Sequence, residues 1–71
     1  MQMKPNWKDA PGWAEWLAMD SDGTWYWYEY KPSVLGGGWH GDWAAWASRE
    51  DFPAEVGDWR ETLEQRPEVQ P

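Results

Sequence analysis

Three short segments carry residue types that invite a chemical reading. His40-Gly41-Asp42, with Ser48 a little further on, supplies an imidazole, a carboxylate and a hydroxyl, the ingredients of a nucleophilic site. No motif orients the three toward one another, so a solvent-facing His40 is the stronger reading and no catalytic residue is assigned. Asp20-Ser21-Asp22-Gly23 resembles the opening of a calcium loop in composition only. It lacks the ligand spacing and the closing bidentate Glu, and it reads as a hairpin turn. Gly36-Gly37-Gly38 are consecutive and outside the GxGxxG frame that cradles a phosphate. Neither a metal nor a cofactor is expected.

The remaining constellation is aromatic. Trp25-Tyr26-Trp27-Tyr28-Glu29-Tyr30 alternates so that Trp25 and Trp27 fall on one face of a strand and Tyr26, Tyr28 and Tyr30 on the other. A surface strand would alternate with polar residues. Both faces are therefore covered, or one of them is a contact surface rich in the residue types that dominate binding hot spots. Trp25, Tyr26, Trp27, Tyr28 and Tyr30 are accordingly candidate partner-binding residues. Glu50, Asp51 and Glu55, in an acidic segment, are a second set that would meet a basic groove on a partner.

These groups must be positioned by a small number of elements. Residues 1–12, with Pro5, Pro11 and Gly12, read as an irregular lead-in pinned by Trp7. A strand begins at Trp13. The turn at Asp20–Gly23 closes a hairpin, with Gly23 at a positive φ, and Thr24 to Lys31 forms its second arm, ended by Pro32. Pro32 to Gly38 reads as a loop and Trp43 to Ala47 as a third strand. At the C-terminal end, Asp58 as N-cap, Glu61 three residues on, and Trp59 and Leu63 at i, i+4 predict a short helix stopped by Arg66-Pro67. The expected fold is mainly β or α+β: a small twisted antiparallel meander with one short C-terminal helix. Residues 13–66 make up a single small domain and 67–71 a tail.

Nine Trp among 71 residues, beside three Leu, three Val, one Phe and no Ile, mean that the indoles must be core, contact surface, or both. With so little aliphatic content, self-association is one route to stability. Net charge is −7. Residues 1–40 hold five acids against three Lys, and residues 41–71 hold eight acids against three Arg, so the second part is the more acidic. Phosphate backbones and anionic membranes are repelled at long range, and direct nucleic-acid binding is not expected. The absence of Cys fits a reducing compartment, and no stretch has the length and apolarity of a signal peptide or a membrane span.

Trp13 to Glu29 and Asp58 to Leu63 (DWRETL) together resemble small Trp-rich proteins encoded by tailed bacteriophages and prophages. The shared patterns are W-x-x-W/Y-L-A-x-D-x-D-G-x-W-Y/F-W-Y/F-E and a closing D-W-R-[ED]-[ST]-L. That family brings no activity to transfer. The resemblance implies a setting, the cytoplasm of an infected bacterial host. Gly12-Trp13 and Thr24-Trp25-Tyr26 also resemble elements of choline-binding cell-wall repeats, but their interval is too long and no second repeat is present. The leading expectation is a non-enzymatic phage accessory protein that binds a host protein or protein complex and modulates or inhibits it, as an anti-CRISPR does. The alternative is a binding module for a sugar or quaternary amine built on an aromatic patch.

Overall fold

A computed structural model describes residues 4–49 and 57–68. Six strands are present among them: β1 (Trp16–Met19), β2 (Thr24–Tyr28), β3 (Ser33–Leu35), β4 (Gly38–His40), β5 (Ala44–Arg49) and β6 (Glu64–Gln65). Four make an antiparallel sheet in the order β5-β2-β1-β6, and β3 and β4 form a separate hairpin. Two 3-10 turns, Trp7–Asp9 and Trp59–Glu61, flank the sheet.

The β1–β2 hairpin forms around the turn its sequence predicts, with shorter arms than expected: β1 begins at Trp16 rather than Trp13, and β2 ends at Tyr28 rather than Lys31. Met19 pairs with Trp25, the Gly23 N–H donates to the Asp20 carbonyl at 2.9 Å, and Gly23 sits at φ +91°. Asp22 Oδ1 accepts the Thr24 N–H at 3.0 Å. Glycine reaches that backbone region without the Cβ strain other residues incur. The register then places Leu17 opposite Trp27 on one face and Ala18 opposite Tyr26 on the other.

The inner face carries the core. Trp7, Ala14, Leu17, Met19, Trp25 and Trp27 are buried together, with Ala10, Trp13, Ala47 and Trp59 packed against them. Trp7 lies 5.0 Å from Trp27 between ring centroids, so the lead-in is pinned by Trp7 as expected. Its indole N–H donates to Glu64, which also pairs with Lys4. Arg66 stands 5.7 Å over the Trp7 ring and donates to the carbonyls of Ala14 and Pro11. Trp25 Nε1 is a buried donor with no acceptor among the described residues.

Two expectations need correction. The C-terminal helix is absent: Asp58 does cap, accepting the Arg60 N–H at 3.0 Å, but the coil stops after a single 3-10 turn and Glu64–Gln65 pair with β1. A seven-residue helix is marginal, and the open edge of β1 offers the same backbone a better set of partners. Thr62 Oγ1 accepts the Met19 N–H at 2.9 Å, and the Arg66 N–H donates to the Glu15 carbonyl at 2.7 Å, so the segment satisfies that edge along its length. The Pro32–Gly38 loop is also corrected. It contains β3 and leads through a two-residue turn at Gly36-Gly37 into β4. Gly36, at φ +64°, supplies the positive φ that such a turn needs at its first central position. The third strand expected within Trp43 to Ala47 is β5, running slightly later.

Candidate functional site

The two aromatic rows of β2 differ in burial only in part. Trp25 and Trp27 are 2% and 4% exposed and belong to the core, so their rings are not available as a contact surface. Tyr28 is also buried, whereas Tyr26 is half-buried and Tyr30, beyond the end of β2, is 59% exposed. The Tyr row is thus a graded surface. Glu50, Asp51 and Glu55 lie outside the described residues.

Sequence reasoning missed two residues that the fold brings to the surface. Trp43 and Trp46 are 57% and 63% exposed, and Trp46 sits on β5 opposite Tyr26. β5 ends the sheet order, and no strand among the described residues pairs with its outer edge. A bulge between Trp25 and Tyr26 shifts the register there and places Ala47 against the core. The available signal was composition. Ala44, Ala45 and Ala47 around Trp46 are too small to surround an indole, so it stays uncovered. Trp13 meets Trp43 edge-on at 6.3 Å, leaving much of Trp43 in solvent.

A second feature lies where the β3–β4 hairpin crosses the outer sheet face. The hairpin is fastened to the β1–β2 turn. Asp20 Oδ1 accepts the Trp39 N–H at 2.9 Å, and Trp39 Nε1 donates to the Met19 carbonyl at 3.0 Å. The Ser21 hydroxyl donates to the Gly37 carbonyl at 2.6 Å. The approach is close enough that a Cβ on Gly38 would stand 3.0 Å from Asp20 Cγ. Beneath it remains a cleft of about 280 Å³, lined by Asp20, Tyr26, Tyr28, Trp39 and His40 among others. Burial pushes the Asp20 carboxyl above its ordinary pKa, opposed by the Trp39 N–H bond, reinforced by nearby Asp22 and offset in part by His40. Burial likewise holds the Tyr28 hydroxyl well above the usual tyrosine range, so it stays protonated.

Among the described residues no group of three His, Asp or Glu is placed to hold a metal ion, and no helix is long and apolar enough to cross a membrane. Comparison with protein-family models, with curated proteins and with solved structures finds no match. The functional reading therefore rests on the chain's own surface.

Proposed function

We propose that this chain is a non-enzymatic binding protein of phage origin that docks on a host protein and modulates or inhibits it, an anti-defence role being one form of that activity. The observation that supports this reading is the exposure of Trp43 and of Trp46, the latter on β5, the last strand in the sheet order. Two indoles left mostly in solvent on a chain this small are an unusual use of apolar surface, and Trp is the residue type most enriched at binding hot spots. The net charge of −7 selects a partner that is basic at its contact surface.

The test compares the parent with a Trp43→Ala/Trp46→Ala double variant as bait against lysate of a bacterial host. A protein retained in stoichiometric amount by the parent, released by salt, and lost by the folded double variant is the expected result. Retention of the same protein by both baits places the contact elsewhere and overturns the β5 assignment. A second reading, a small-ligand module, draws on the cleft beneath the β3–β4 hairpin rather than on β5.

A further inference from the structure

We infer that the cleft between the β3–β4 hairpin and the outer sheet face binds a primary alkylammonium group, with Asp20 as its anionic anchor and the half-buried Tyr26 as its aromatic wall, over the buried Tyr28 and beside Trp39. The inference is independent of the β5 reading, because neither Trp43 nor Trp46 lines this cleft.

Charge is the first argument. Asp20 is only partly exposed, and its Oδ1 is taken by the Trp39 N–H. Its Oδ2 accepts no hydrogen bond from any described residue, although a carboxylate oxygen has two lone pairs to offer. The ion pairs among the described residues are Lys4 with Glu64 and Arg60 with Asp58, so no Lys or Arg neutralises Asp20. Asp22, two residues away, deepens the negative potential. A half-buried carboxylate with one open oxygen favours a cation, repels an anion, and gains less from a neutral sugar hydroxyl than from a charge-assisted N–H donor.

The walls supply the second argument. The Tyr26 and Tyr28 rings stand 6.4 Å apart at 51°, Tyr26 half-buried beside the buried Tyr28, and Trp39 lines the hairpin side with its indole set against Trp59 and the Met19 carbonyl. Aromatic faces attract cations through their quadrupole, and the rest of each ring accommodates an alkyl chain. The volume, about 280 Å³, is several times the roughly 30 Å³ that one water occupies in the liquid, so the cleft has room for an amino-alkyl group. The hairpin is held by the Trp39 N–H donating to Asp20, the Ser21 hydroxyl donating to Gly37 and the Trp39 indole donating to Met19, so the cleft is formed before the ligand arrives. The open lone pairs on Oδ2 distinguish a primary ammonium, which donates N–H bonds, from a quaternary one, which has none.

The same chemistry has two sources, a free aliphatic amine and a lysine side chain of a protein. Amide NMR spectra of the full chain, titrated separately with n-butylammonium, 1-butanol and N-acetyl-lysine methylamide, separate them. Saturable shifts at Trp39, Gly41 and Tyr26 are expected for at least one of the two ammonium compounds. 1-Butanol is expected to bind at least about tenfold more weakly. If both ammonium compounds bind, the cleft accepts a free amine; if only the lysine derivative does, it is a lysine socket for a partner. Either result supports the inference. Asp20→Asn keeps the Oδ1 acceptor for Trp39 and is expected to weaken binding at least about tenfold while the Trp39 indole signal stays in place. Tyr26→Leu, away from the turn, is expected to weaken it several-fold and decides the matter if Asp20→Asn does not fold. Equal response to 1-butanol, undiminished binding by folded Asp20→Asn, or shifts scattered over Asp9, Glu61 and other surface acids would overturn it.

Discussion

Trp25 and Trp27 point from β2 into a core sealed by distant segments, the Trp7 turn from one end of the chain and Trp59 from the other. Tyr26 and Tyr28, one residue out of phase, point into a layer that, among the described residues, is covered by the hairpin next in the chain and the residues flanking it. Side chains of similar bulk thus serve as foundation on one face and as the wall of a cleft on the other. Identity does not separate them; the difference is how much chain is available to cover each side. Among the described residues the inner face is closed, whereas the outer face leaves Tyr26 half-buried.

Removing a foundation residue tests that contrast most severely. Trp27→Ala is expected to cost about 3–5 kcal/mol in urea unfolding, enough to abolish cooperative folding in a domain this small. A variant that still unfolds cooperatively with a midpoint near the parent's would show that the inner face is not the sole core. Gly41→Val attacks the outer layer instead. A Cβ there would stand 2.7 Å from Tyr28 Cδ1, so the hairpin must shift, at an expected cost of about 1–3 kcal/mol. NMR should place the changes at Trp39 and Tyr28 and leave the Trp7 and Trp27 indoles where they were.

Trp46→Ala sharpens the comparison from outside both layers. Its stability change is expected within about 0.5 kcal/mol, because the indole is 63% exposed, and only partner retention should suffer. A pH titration of Asp20 gives the smallest effect. Its folded pKa is raised above the ordinary carboxylate value, so between the two values the folded chain still holds a proton that the unfolded chain has released. Stability from this group therefore falls as pH rises through that window, and its cost persists at neutral pH. Asp22 is shifted down, mainly by the Thr24 N–H, and contributes the opposite slope, stability lost as pH falls. The difference between parent and Asp20→Asn urea midpoints from about pH 4 upward isolates the Asp20 part, and a flat difference would contradict its burial.

Local chemistry made some of this legible in advance. The Asp20–Gly23 turn is encoded by residues that act within four positions, and its hydrogen bonds match the pattern such residues favour. The β3–β4 hairpin was obscured because consecutive glycines suit loops as well as turns, and only Asp20 and Ser21, far back in the chain, fix the outcome through their bonds to Trp39 and Gly37. Asp58 marked the start of a helical turn correctly, yet the path of the chain beyond Glu61 is decided by the vacant edge of β1, which no pattern near residue 58 announces. The site divides the same way. Alternation separated the Trp and Tyr rows, but which row faces solvent depends on the hairpin. The exposure of Trp46 comes from its place on the last strand of the sheet order.

The pairing of β6 with β1 also sets the order in which the protein can be made. Lys4 and Trp7 both reach Glu64, and Arg66 holds the carbonyls of Pro11 and Ala14, so contacts that close the inner face span more than fifty positions. A chain emerging from the ribosome can form the β1–β2 hairpin early but cannot protect the second edge of β1 until residue 66 is free. Until then that strand is open to pairing with a neighbouring nascent chain. High contact order in so short a domain makes the release of residues 64–66, rather than the first hairpin, the event that commits it to its native state.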